Sequence, residues 1–70
     1  MMPVTSGTVI RFRYTNHRGE TAQRHARFFS FGFGTTEYYQ TPQWLMRALD
    51  LDRNLERTFA MAQMTDVTLD

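Results

Sequence analysis

Seventy residues, a net charge of +1 and no cysteine bound the chain to one domain with a small core, since a chain near this length buries only about 60 % of the surface its unfolded form exposes. Disulfide staples and cysteine-based zinc sites are excluded, and no apolar run approaches the ~20 residues of a membrane-spanning helix. The near-neutral total excludes bulk charge as the basis of attraction to a polyanion or a membrane.

In chain order, residues 1–7 read as a flexible lead, and 8–70 as the single domain. Met1-Met2-Pro3-Val4 carries neither the basic start nor the apolar run of a secretory leader, so the cytoplasm is the expected location and no membrane partner is expected. Thr8 to Thr15 alternate, with Ile10, Phe12 and Tyr14 on one face and Val9, Arg11, Arg13 and Thr15 on the other, the period of a half-buried strand. Asn16-His17-Arg18-Gly19-Glu20 reads as a turn, because asparagine and glycine tolerate the backbone angles a reversal needs. Thr21 to Phe29 reads as the returning strand, with Ala22, Arg24, Ala26 and Phe28 opposed to Gln23, His25, Arg27 and Phe29. Gly32 and Gly34, set among Phe31 and Phe33, suggest a bulge or bend there, and residues 34–41 read as a loop.

Residues 42–64 admit two readings. Thr41 and Pro42 can open a helix as N-cap and first helical residue, and Leu45 to Leu49 are good helix formers. Equally, Trp44, Met46 and Ala48 alternate with Leu45, Arg47 and Leu49, as in a strand buried on both faces. Asp50 to Asn54 reads as a turn under either. Local propensity favours helix and leaves a β-hairpin followed by two helices as the alternative fold.

All eight basic residues are arginine, and five of them (Arg11, Arg13, Arg18, Arg24 and Arg27) lie in the first 27 residues against the single acid Glu20. Arginine presents a planar fork of donors suited to phosphate and carboxylate. Arg11 and Arg13, with Arg27 across the hairpin, are either a solubilising face or a phosphate-contacting one. Arg24 and Arg57 lie within strands beside aromatics, where a charge is rarely buried without a partner. Either they close internal salt bridges, with Glu20, Glu37 or Glu56 as candidate acids, or they receive a phosphate. Tyr38, Tyr39 and Trp44 are candidate base-stacking platforms, although Trp44 reads first as a core residue. Met46, Met61 and Met64 read as adaptable core fillers. His17 and His25 are too few to make a metal site, and no phosphate loop, dinucleotide fingerprint or paired carboxylates suggest catalysis. No cofactor is expected.

The run Trp44-Leu45-Met46-Arg47-Ala48-Leu49-Asp50, followed by Arg57-Thr58-Phe59-Ala60-Met61, resembles the central signature of the WYL domain of bacterial regulators, a Trp-Tyr-Leu strand, a turn and an Arg-x-Phe strand. Ile10 to Tyr14 and Arg24 are similar to that family's first hairpin. Tyr14 to Glu20, Phe33 to Glu37 and Pro42 to Leu45 resemble runs in short stand-alone members from bacteria and phages. Leu45 and Met46 depart from the triplet's tyrosine and leucine, Phe28 stands where the family usually has proline, and Gln63 where larger members have arginine. The resemblance implies a mainly β fold, a small, strongly bent Sm-like or SH3-like barrel of about five strands, so that residues 42–64 would be strands. It also implies a regulatory, ligand-sensing role, with nucleic acids and nucleotides the favoured class.

The expected function is therefore a non-enzymatic binding module that recognises single-stranded nucleic acid or nucleotide phosphates. Its candidate contacts are Arg11, Arg13, Arg24, Arg27, Tyr38, Tyr39, Trp44 and Arg57. The alternative is a protein-interaction or homo-oligomerising module.

Overall fold

The computed structural model describes residues 7–69. Residues 1–6 of the expected lead lie outside them, while Gly7 is tied to the fold by its N–H, which donates to the Phe28 carbonyl at 2.7 Å. Five antiparallel strands form one sheet: β1 Val9–Thr15, β2 Thr21–Gly34, β3 Gln43–Asp50, β4 Leu55–Ala60 and β5 Met64–Leu69, in the order β4-β3-β2-β1-β5. A 3-10 turn, Met61–Gln63, is the one helical element among the described residues, and none of these residues forms a helix long and apolar enough to cross a membrane.

The first hairpin follows from its alternation. Ile10, Phe12 and Tyr14 are buried while Arg11 and Arg13 are exposed. Its turn is fixed by Asn16, whose side-chain oxygen accepts the N–H groups of Arg18 (2.9 Å) and Glu20 (3.0 Å). Gly19 supplies a φ of +82°. The ambiguous C-terminal half is strand, not helix. Across β3, Met46 and Ala48 are fully buried on the inner face and Leu45 nearly so on the other, where Arg47 is exposed. Burial of Met46 against Phe31 and Phe59 across the sheet overrides the helical propensity of the run.

The returning strand is longer than its alternation indicates, and its bulge is not at the glycines. Phe28 pairs with Ala48 but Ser30 with Arg47, so Phe29 is the extra, bulged residue, and Gly32 and Gly34 continue the regular ladder. Fourteen residues at ~3.3 Å each would run roughly 43 Å if straight. The longest dimension of the described chain is 30 Å, so β2 must bend. A second bulge falls in β5, where Arg11 and Arg13 face Thr68 and Thr65 and Asp66 takes a φ of +53°.

The sheet curls over its own inner face. Its two edge strands, β4 and β5, are separated in chain only by the three residues Met61–Gln63. Four inter-strand steps of a flat sheet would put them roughly 19 Å apart, more than the ~14 Å such a link can span. Curling brings β1 against β4 across the interior. The Phe59 ring meets Phe12 at 5.1 Å and Tyr14 at 4.9 Å, both edge-on, a favourable aromatic arrangement. The Ala60 N–H donates to the Tyr14 hydroxyl at 2.9 Å. Met61 and Met64 pack against this core, in the filler role expected of them. The sheet is not closed: β4 pairs only with β3, and β5 only with β1.

Trp44 is not a core residue. It lies 58 % exposed on the inner face of the sheet, beyond the end of the packed interior, with its ring 5.4 Å from that of Phe33. A strand period assigns a face, but not how far the core extends along it.

Candidate functional site

Sheet register brings three charges together. Asp50 stands opposite Ala26 on β2 and Leu55 on β4. Alternate residues of a strand share a face, so Arg24, two before Ala26, and Arg57, two after Leu55, lie on the same inner face as Asp50. The Asp50 carboxylate is 1 % exposed, with Arg24 Nη1 at 3.9 Å and Arg57 Nη1 at 4.0 Å from its Oδ2. The internal acid is therefore Asp50 rather than Glu20, Glu37 or Glu56. Its position corrects the reading of residue 50 as part of a turn: Asp50 ends β3. Its Oδ1 organises the turn that follows, accepting the N–H groups of Asp52 (3.0 Å) and Arg53 (3.2 Å).

The two halves of the carboxylate thus have different work. Oδ1 is satisfied by backbone. Oδ2 is buried without a hydrogen-bond partner, as is Arg24 Nε, and the arginine distances exceed hydrogen-bond length. Asp50 neutralises the forks at a distance while leaving donors uncommitted. Arg24 is the inner fork, its side chain 11 % exposed, and Arg57 the outer one at 35 %.

These forks line an open cleft of about 860 Å³, within the range of small-molecule sites. One wall is the hairpin turn, with His17, Arg18 and Glu20; another is the 35–42 loop, with Glu37, Tyr38 and Tyr39; the third is β4 and the turn before it, with Arg53, Glu56 and Arg57. The loop is held by Thr36, whose hydroxyl accepts the N–H groups of Tyr38 (3.1 Å) and Tyr39 (3.0 Å). The His17 and Tyr38 rings, both lining the cleft, stack at 4.0 Å and 11°, so the turn histidine has an aromatic partner. At the floor, burial pushes the Tyr14 hydroxyl up to about 12, helped by the adjacent Tyr39 hydroxyl and opposed by the Ala60 N–H and the Arg57 charge. The Tyr39 hydroxyl is itself buried and lacks a well-formed hydrogen bond.

Of the residues singled out from sequence, the cleft gathers Arg24, Arg57, Tyr38 and Tyr39. Arg11, Arg13 and Arg27 lie on the outer, exposed side of the first hairpin, with Arg27 donating to the Gly7 carbonyl at 3.2 Å. Trp44 is six residues along β3 from Asp50. Sequence reasoning missed Asp50, Arg18, Arg53 and the ring of His17. A signal for Asp50 was present, since it continues the inward alternation of Trp44, Met46 and Ala48, and an acid at an inward position calls for a cation. Arg18 and Arg53 sit in turns and left no such trace. Among the described residues no group of three or more histidine, aspartate or glutamate side chains is placed to hold a metal.

No protein-family model matches the chain, and neither a curated protein nor a solved structure does.

Proposed function

We propose that the chain is a cytoplasmic, WYL-like, non-enzymatic binding module that recognises the phosphate of a nucleotide or nucleic acid in the cleft between Arg24 and Arg57. The observation that carries this reading is the geometry around Asp50. Two guanidinium groups converge on one buried carboxylate yet stand 3.9 and 4.0 Å from it, so each keeps donors for an incoming anion. An arginine fork can receive phosphate oxygens in pairs. The strand order, with both edges joined through three residues and β1 packed against β4, supports a small bent barrel of the Sm-like type, left open along β4 and β5.

The test is anisotropy of a labelled short single strand, with nucleotides as competitors, at low and moderate salt. Binding is expected to weaken as salt rises, because each phosphate contact releases counterions. Arg57→Gln, checked for folding by circular dichroism, is expected to lose about tenfold or more in affinity, the loss of one charge-assisted contact. Equal binding by this variant, or no binding by the parent chain to any phosphate ligand, refutes the reading. Trp44 lies away from the cleft, so its fluorescence is not the reporter of choice.

A second reading has its own observation. Phe31, Phe33 and Trp44 are 46, 63 and 58 % exposed and adjoin one another on paired strands. Exposed apolar patches mark interaction surfaces, which favours a protein-interaction or self-associating role for that end of the sheet.

A further inference from the structure

We infer that the ligand of the Arg24–Arg57 cleft is a single nucleotide, its phosphate at the arginines and its base stacked on Tyr38, rather than a nucleic-acid strand; the inference rests on the phosphate-binding reading above. Three observations carry it.

First, the cleft holds a ring platform as well as cations. The His17–Tyr38 stack is parallel, at 4.0 Å and 11°. Tyr38 is still 59 % exposed although His17 covers one face of its ring, which leaves the other face open to a base. The two rings come from different connections, the first hairpin turn and the 35–42 loop, so seating a base against them breaks no strand ladder.

Second, the charges are mixed. Four arginines line the cleft, but so do Glu20, Glu37 and Glu56, the last paired with Arg47 at 2.9 Å, and Asp50 stands behind two of the arginines. One phosphate can be seated at Arg24 and Arg57, the two arginines that share Asp50. A strand passing through would carry its next phosphates toward those carboxylates, where like charges repel. A polymer track calls instead for a continuous basic groove.

Third, the volume of about 860 Å³ suits one ligand of drug-like size. Arg24 and Tyr39 line this space, and Arg24 Nε and the Tyr39 hydroxyl lie buried behind it without a well-formed hydrogen bond.

The experiment is calorimetric titration of the full chain with adenosine 5′-monophosphate, ribose 5-phosphate and a ten-nucleotide adenine strand, each at two salt concentrations. The monophosphate is expected to bind at least about tenfold tighter than the baseless sugar phosphate, the worth of one aromatic stack. Tyr38→Ala is expected to erase that difference while leaving ribose 5-phosphate affinity unchanged, and Tyr38→Phe to restore it. The strand is expected to gain nothing beyond the statistical advantage of its several phosphates and to show no steeper salt dependence than the mononucleotide. Equal affinity for the monophosphate and the sugar phosphate overturns the base platform but leaves the phosphate site standing. A strand that binds with a steeper salt dependence overturns the mononucleotide in favour of a polymer, again leaving the phosphate site standing. If none of the three binds, the site and this inference fall together.

Discussion

Asp50→Asn tests the structural core of these arguments. The asparagine carbonyl can still accept the Asp52 and Arg53 N–H groups that Oδ1 accepts at 3.0 and 3.2 Å, so the turn survives. What is lost is the negative charge between two guanidinium groups at 3.9 and 4.0 Å. Breaking a buried ion pair costs about 3–5 kcal/mol, whereas an exposed pair is worth less than about 1 kcal/mol. Asp50 and Arg24 belong to the buried case, and Arg57, a third exposed, falls between. A loss of about 2–3 kcal/mol follows, out of roughly 4–10 kcal/mol expected for a 70-residue chain. That corresponds to roughly 10–20 °C in midpoint for a domain of this size. Thermal and urea unfolding followed by far-ultraviolet circular dichroism measures it. Asp50→Ala also orphans the two backbone donors, each at a further cost of about 1–3 kcal/mol, and is expected to leave little folded protein. A double-mutant cycle apportions the pairs: coupling of Asp50 to Arg24 should exceed coupling to Arg57. An Asp50→Asn variant within about 0.5 kcal/mol of the parent, the scatter of an ordinary surface change, or stronger coupling to the outer arginine, refutes the assignment of Asp50 as their counter-charge.

Other predictions concern separate parts of the fold. The Tyr14 hydroxyl ionises near 12 in the folded chain against 10.0 ordinarily. The unfolded chain therefore gives up this proton first, and stability that is whole below pH 10 declines as pH rises toward 12, by up to about 2–3 kcal/mol. Tyr14→Phe should flatten that decline and, at neutral pH, cost about 1–2 kcal/mol by orphaning the Ala60 N–H; alkaline unfolding curves of both proteins give the comparison. Gly19→Ala should cost about 1 kcal/mol, since its φ of +82° strains any side chain. Gly32→Ala, in ordinary strand conformation with nothing within 4 Å of an added methyl, should be neutral or stabilising by up to about 1 kcal/mol, and chemical denaturation orders the two. Paired changes of Phe33 and Trp44 to serine should leave the unfolding midpoint nearly unchanged and abolish any self-association seen by sedimentation; association that persists in this variant counts against the aromatic end as the contact surface.

The sequence by itself determined the first hairpin. The alternation of Ile10, Phe12 and Tyr14 with Arg11 and Arg13, and the Asn16–Gly19 turn, are local signals, and local sterics with burial of one face suffice to decide them. It also pointed to Arg24, Arg57, Tyr38 and Tyr39, because arginines beside inward aromatics and tyrosines in a loop are conspicuous in a chain this small. Other features were decided only by the tertiary structure. Local propensity favours helix on both sides of the 51–54 turn, and residues 43–50 and 55–60 are strands because Met46, Ala48 and Phe59 gain more by closing a core with β2 and β1 than by local hydrogen bonding. The bulge sits at Phe29 rather than at the glycines because register, not composition, places an extra residue opposite Ala48 and Arg47. Trp44 is exposed because the core ends before it. Arg24 lies two strands' length before Asp50 in the chain and Arg57 on the strand that follows it, and three strands had to align in one register before the two cations could share a single buried acid.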